Sequence, residues 1–355
     1  HAVNSGRKNI LINGAMQVWQ RATTFSVVDN IYTADRWLTE FGGFGAWTLS
    51  RSTDAPAGFG YSLDLDCTAA DASPAAGDVF QLFHRIEGQD LQQLKKGTSG
   101  AESVTFSFWI KSNKTGNLQV NLRDANSRII GVVYTINVAD TWEKKTVTFA
   151  GDTSGVIAND NTSELTVEFP IGSGSTYSSG AVPTSWETTS TADRNAGATI
   201  NLADNTANYW RMTGLQLELG SVATNFEHRS YGEELALCQR YYEIVADCAE
   251  SADAAICYVC GGFSTKSDQV NWNYFFAVKK RAAFTLEATT GTDYYRAVNH
   301  SNSIVDTAVG MTASYQPLNC VNGYITGSYS GSTEGKAWQF TLNNASAKIA
   351  VSAEL

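Results

Sequence analysis

Apolar side chains recur at every second position in one short segment after another, and this period of two constrains the fold more than any other feature. Leu63, Leu65 and Cys67 alternate with Asp64 and Asp66. Val104, Phe106, Phe108 and Ile110 alternate with Thr105, Ser107, Trp109 and Lys111, and Leu118, Val120 and Leu122 with Gln119, Asn121 and Arg123. Val147 with Phe149, then Leu165, Val167 and Phe169, then Leu215, Leu217 and Leu219 repeat the theme. Successive side chains of a strand point to opposite faces, so alternation describes strands with one dry face and one wet face. Turn-forming runs separate the segments: Asn113 to Gly116, Gly151 to Gly155 and Gly172 to Ser175. Short strands, Gly/Asn/Asp turns and no helical pattern between them predict an all-β sandwich.

One helix interrupts this order. Ser230 and Glu233 have capping-box spacing, and Leu235, Cys238 and Tyr242 follow on one helical face. The reading is a first domain over 1–229, a linking helix over 230–245, and a smaller C-terminal β-sandwich over 246–355. In that last part strands are expected at 255–263, 272–278, 283–288, 304–311, 322–329, 337–342 and 348–354.

Charge narrows the partners. The chain carries −10 at neutral pH, its 25 Lys and Arg form no extended run or stripe, and only 17% of residues are charged. Duplex nucleic acid and anionic membranes both call for clustered basic residues, so neither is an expected partner. No apolar run reaches the roughly 20 residues of a membrane helix, and no signal peptide is visible. The chain starts at His1 and not at Met, so an upstream start is expected. Six cysteines are spread too widely for a disulfide framework. Cys257 and Cys260 have metal or redox spacing, yet their setting reads as a strand that sends the two thiols to opposite faces; free thiols are the expectation.

Catalytic motifs are missing. There is no HExxH, Gly-x-Ser-x-Gly, Walker loop or GxGxxG, so no catalytic residue is assigned. Two carboxylate pairs share strand faces: Asp64 with Asp66, and Glu164 with Glu168. Side chains two residues apart lie about 7 Å from each other along a strand, within the range of glycoside hydrolases. A solvated outer face is the plainer reading of both pairs and a cation site the next, with Asp64 and Asp66 as the candidate cation site. Structural calcium is the one cofactor left open.

Nine Trp and fifteen Tyr leave aromatics for surfaces, and Trp47, Trp142, Trp186, Tyr177, Tyr294 and Tyr295 fall near expected turns. The segment Tyr177 to Ile200 is long, polar and rich in turn formers. It reads either as a lid packed down by Trp186 or as a binding surface. Trp186, Tyr177, Asp193 and Arg194 are the glycan-binding candidates there.

Several separated motifs resemble a known family. They are Asn9 to Arg21 with its Trp19-Gln-Arg21, Tyr32 to Trp37, Ile86-Glu-Gly88, and Val104 to Ser112. At the junction follow Leu215 to Gly220, Phe226 to Arg229 and Glu234 to Glu243. In this order they resemble tail-fibre and related appendage proteins of tailed bacteriophages, whose sandwich is similar to carbohydrate-binding modules of the galactose-binding jelly-roll type. The resemblance covers about residues 8–245; Ala22 and Phe284 depart from the family's usual Gly and Pro. It implies a jelly-roll sandwich and a non-enzymatic virion protein, made in the host cytoplasm and acting outside the cell. It further implies a homotrimer, other virion proteins as neighbours, and host surface polysaccharide or lipopolysaccharide as ligand. A connector or capsid decoration without receptor binding, and a depolymerase using Asp64 and Asp66, are the other readings. The shared motifs read as structural: Trp19, Arg21, Asp35, Arg36 and Trp37 fix the sandwich edge.

Overall fold

The computed structural model describes residues 7–250, 257–266, 269–291, 294–299, 304–308, 312–315, 317–326 and 337–355. Two compact units divide inside the helix, between Glu234 and Leu235, with Leu355 counting in the first.

The first unit is a sandwich of two six-stranded antiparallel sheets. Its strands are β1 Thr24–Ser26, β2 Trp37–Gly42, β3 Ala46–Ser52, β4 Ser62–Ala69, β5 Val79–Glu87 and β6 Val104–Ser112. They continue as β7 Gly116–Asp124, β8 Arg128–Ile136, β9 Glu143–Phe149, β10 Ser163–Ser173, β11 Glu187–Thr188 and β12 Tyr209–Leu219. Sheet 1 runs β1-β3-β4-β12-β6-β9 and sheet 2 runs β11-β8-β7-β10-β5-β2. Neighbouring strands in each sheet are mostly far apart in sequence, the jelly-roll pattern. The alternating residues meet between the sheets: Leu63, Leu65, Phe106, Phe108, Ile110, Leu118, Val120, Val167 and Phe169 are all fully buried. Edge-to-face contacts tie the layers, with Phe108 to Phe169 at 5.3 Å and Phe169 to Trp210 at 5.9 Å.

The family-like motifs hold one edge of this sandwich. Asn13 Nδ2 donates to the carbonyls of Val18 and Asp35, and its Oδ1 accepts from Val18 N. Asp35 Oδ1 accepts from Gln20 N, Trp37 is fully buried, and the Arg36 guanidinium donates to the Arg85 carbonyl at 2.7 Å. Asn13 and Arg36 both sit at positive φ, a cost that such a set of bonds offsets.

The expected alternation in β12 is only half right. Leu215 and Leu217 are buried, but so are Gln216 and Glu218, while Leu219 is exposed. The chain after β12 folds back on the outer face: Glu227 N donates to Gln216 Oε1 at 2.7 Å and Thr224 N to Glu218 Oε1 at 2.8 Å. Gly214, at φ +64°, makes the bulge that lets β12 shift register between Thr213 and Gln216.

The capping box forms, with Ser230 N to Glu233 Oε2 at 2.9 Å and Glu233 N to Ser230 Oγ at 3.3 Å. Helix α2 then spans Tyr231–Gln239, after a single turn α1 at Ser175–Ser178. It is shorter than the expected 230–245. Tyr242, read as part of its apolar face, belongs instead to a strand that pairs with the C-terminal segment.

The second unit contains β13 Tyr242–Asp247, β14 Cys257–Lys266, β15 Gln269–Phe275, β16 Thr285–Ala288 and β17 Tyr295–Asn299. Then come β18 Ile304–Ala308, β19 Thr312–Tyr315, β20 Cys320–Thr326, β21 Ala337–Leu342 and β22 Lys348–Ser352. They form a three-stranded sheet, β13-β22-β16, and a seven-stranded sheet, β18-β17-β21-β14-β15-β20-β19. Trp272, Tyr295, Phe340 and Val351 lie in its core. Parts of the expected strands, at 255–256, 309–311 and 327–329, fall outside the described residues.

Candidate functional site

The outer face of sheet 2 carries cross-strand rows in which most residues are polar. Phe83, Glu168 and Asn121 form one row, Gln81 and Pro170 another, and Arg85, Thr166 and Arg123 a third. These strands are apolar inward and polar outward, but the long loop after β10 covers much of the polar side. Arg194 is its anchor. Its Nε lies 2.9 Å from Glu168 Oε1, and Nη2 reaches Glu40 Oε2 at 2.8 Å and Gln81 Oε1 at 2.6 Å. The loop backbone is held too, by Asn121 Nδ2 on the Arg194 carbonyl at 2.8 Å and Gln119 Nε2 on the Asp193 carbonyl at 2.9 Å. Burial opposes the charge on Arg194, but Glu168 and Glu40 outweigh it and raise its pKa.

The four glycan-binding candidates therefore do not make one exposed site. Arg194 is buried, stacked between Tyr177 (5.5 Å) and Phe83 (5.8 Å). Asp193 Oδ1 accepts from Ala181 N at 2.9 Å and so closes the loop on itself. Trp186 packs half-buried on the core, donates to the Ala150 carbonyl at 2.7 Å and covers Lys96 at 5.2 Å. Beneath it is a cavity of about 20 Å³, room for no more than a water. The packed-lid reading of this loop describes the geometry.

Charges around Trp186 neutralise one another. Lys96 Nζ bridges Asp124 (2.5 Å) and Asp152 (2.9 Å), and Arg128 binds Asp152 through Nε at 2.7 Å and Nη2 at 3.0 Å. Burial opposes ionisation of Asp152, but Arg128 and Lys96 overcome it and hold its carboxyl down at about 2.

Below the lid, the same face opens into a cleft of about 340 Å³, within the range of small-molecule sites. Arg85, Arg123 and Thr166 form its floor, with Asp124, Ala125, Ser127, Ser163 and Thr189 around it. Thr189 follows β11, whose pairing with β8 extends the sheet and places this end of the lid beside the cleft. Arg123 gives Nε to Glu168 Oε2 at 3.2 Å, and its other nitrogens have no partner among the described residues. Arg85 Nη1 donates to the main-chain oxygen of Leu355 at 2.5 Å. None of the four expected binding residues lines this cleft. Sequence reasoning missed it because Arg85 and Arg123 are far apart in the chain and meet only through β10.

The outer face of sheet 1 is different. Asp64 and Asp66 do share a strand face, but Asp64 is buried while Asp66 is exposed. Arg211 Nε lies 2.8 Å from Asp64 Oδ2, where a bound cation would have to sit. Burial, opposed by Arg211 and reinforced by Asp66, pushes the Asp64 carboxyl up to about 6. Arg211 also stacks on Tyr209 at 4.3 Å and pairs with Asp54 at 2.6 Å, and Trp142 Nε1 donates to Asp54 at 2.9 Å. Among the described residues no group of three or more His, Cys, Asp and Glu could hold a metal. Glu164 and Glu168 differ likewise: Glu164 sits at a register shift and accepts from Thr162 Oγ1, whereas Glu168 is sealed under Arg194.

Other expectations change as well. Trp47 and Tyr295, read near turns, are core residues. Cys257 and Cys260 both pack against the second core, because a bulge between Tyr258 and Cys260 breaks the alternation. None of the six cysteines is in a disulfide; burial pushes Cys260 up to about 11. No helix among the described residues is long and apolar enough to cross a membrane.

No family model and no curated protein matches the chain. Solved structures are similar to it at low identity. The enzymatically active domain of tailspike protein 4 of bacteriophage CBA120 matches at 13% identity and a TM-score of 0.33, over 59% of this chain and 21% of that one. A sugar-binding protein from Bacteroides thetaiotaomicron matches at 12% and 0.34, over 60% and 100%. The CBM22-1 xylan-binding domain of Paenibacillus barcinonensis Xyn10C matches at 8% and 0.29, over 62% and 100%. The matched part thus spans about a fifth of the tailspike domain's chain. At these values the likenesses say nothing of ligand or partner, and the fold rests on the strand pairing above.

Proposed function

We propose that the first unit is a glycan-attachment module of a tailed-phage appendage, acting by binding and not by catalysis, with the cleft on sheet 2 as its site. The observation that carries this reading is the cleft itself: an open polar concavity on a rigid sheet face, walled by hydroxyls and guanidinium groups of the kind that hydrogen-bond sugar rims. The appendage setting rests on the ordered motifs from Asn9 to Glu243. In that setting the chain is a virion protein, homotrimeric, which meets host polysaccharide or lipopolysaccharide outside the cell. Repeating a weak site three times would multiply attachment by avidity.

The test is a glycan array and a host-adsorption assay with the wild type and Thr166→Tyr, which fills the cleft floor. Wild-type binding that the variant loses supports the reading. Binding that the variant keeps moves the site elsewhere, and flat signals for the wild type overturn the attachment role. Electron microscopy of the particle would place the chain on the virion or remove it from there.

A further inference from the structure

We infer that the sheet 2 cleft selects an anionic sugar, whose carboxylate or phosphate sits between Arg85 and Arg123. This rests on the proposal that the cleft binds glycan and names the class of glycan it takes.

The strand register sets the geometry. Arg85 on β5 and Arg123 on β7 flank Thr166 on the strand between them, and all three project from one face. Adjacent strands lie about 4.8 Å apart, so the two arginines rise from backbones about 10 Å apart. Long side chains from that separation can converge on one group seated over Thr166. A guanidinium offers paired N–H donors that match a carboxylate or phosphate, and such charge-assisted bonds are stronger than neutral ones.

Local charge points the same way. The chain as a whole is acidic, at −10, yet the carboxylates beside the cleft are already engaged. Asp124 has no exposed side-chain surface and is held by Lys96 Nζ at 2.5 Å and Arg128 N at 2.7 Å. Glu168 is equally sealed and shared between Arg194 and Arg123. Arg123 keeps a third of its side chain exposed, with its terminal nitrogens unpartnered among the described residues. Arg85 Nη1 donates to the main-chain oxygen of Leu355, and its other nitrogens have no partner among the described residues. Ser127, Ser163 and Thr166 supply hydroxyls for a sugar ring but no negative charge. A positive cleft on a negative protein favours anions locally while the rest of the surface repels them.

The experiment is calorimetric titration of the full chain with three oligosaccharides of matched length: a uronic-acid polymer fragment, a phosphorylated one and a neutral glucan. Wild type, Arg123→Gln, Arg123→Lys and Thr166→Tyr are compared at low and moderate salt, each checked by thermal unfolding. Binding of an acidic oligosaccharide at least tenfold tighter than the neutral one, weakened by salt, is expected. Arg123→Gln should weaken it about tenfold to a hundredfold and Arg123→Lys less. Preference for the uronate or for the phosphate identifies which anion is read. Equal binding of neutral and acidic ligands, or no change in folded Arg123→Gln, overturns the anion claim. If neutral binding is then lost in Thr166→Tyr, the glycan reading survives without it; if no oligosaccharide binds, both fall.

Discussion

The two outer faces of the sandwich present the same kinds of residues and treat them in opposite ways. On sheet 2, a loop of more than twenty residues is pinned over the polar rows by Arg194, and the Arg85–Arg123 cleft lies open beside it. On sheet 1, where the chain after β12 covers Gln216 and Glu218, the part of the face around Asp54 sets charges and aromatics side by side: Arg211 on Tyr209, Trp142 on Asp54, and Lys111 on Asp54 at 2.7 Å. There the cations and carboxylates satisfy one another. On sheet 2 the lid satisfies the buried carboxylates, which leaves Arg123 with donors to spare. What marks a candidate site here is unbalanced chemistry more than a rich supply of aromatics.

That contrast can be broken from either side. Arg194→Met should cause the largest effect, because it leaves Glu168 buried with one partner fewer. A loss of about 3–5 kcal/mol in denaturant unfolding is expected, with weaker cleft binding as the lid loosens. A loss under 1 kcal/mol would mean that the lid is held by its backbone bonds alone.

Next comes acid. His84 is buried beside Trp37, and burial together with the nearby Arg36 charge pushes its pKa from 6.5 down to about 3. A group whose folded pKa lies below its unfolded value, and which is neutral when deprotonated, costs stability as pH falls, because the unfolded chain takes the proton first. Between pH 6.5 and about 4 the sandwich should lose about 3 kcal/mol through His84, a slope that His84→Gln flattens.

Trp186→Ala should cost about 2 kcal/mol, from half-buried packing and the bond to Ala150, and would expose Lys96. A smaller loss would show that the Lys96, Asp124, Asp152 and Arg128 network closes this end unaided. The smallest effect lies on sheet 1. With the Asp64 carboxyl raised to about 6 from 3.8, the folded state holds its proton longer than the unfolded chain does. Wild type should therefore lose stability relative to Asp64→Asn as pH rises through that window, by about 1–2 kcal/mol once solvent screening is allowed for. The reverse slope would show that Arg211 wins over burial.

Alternation, turns and the Ser230 capping box were legible in the chain, because each depends on residues close in sequence. Strands β2, β5 and β8 carry no clear alternation: β5, for example, is buried on both faces, with Gln81 and Glu87 among its buried residues, so its period is masked. Asp64, Gln216 and Glu218 were misjudged for a related reason. Period two tells which residues share a face, but not what Arg211 or the chain after β12 lays over that face. The long loop was recognised, yet Arg194 anchors it and Thr189 joins the cleft, roles set by Glu168 and Arg123 far away in sequence. No local signal marks a site assembled from Arg85, Arg123 and Thr166.

The most direct test is a crystal structure of the chain soaked with an acidic oligosaccharide. The account predicts a sugar in the sheet 2 cleft, with its anionic group bonded to Arg85 and Arg123 and its ring over Thr166. A sugar bound instead on the sheet 1 face around Tyr209 and Trp142, with the cleft empty, would contradict it.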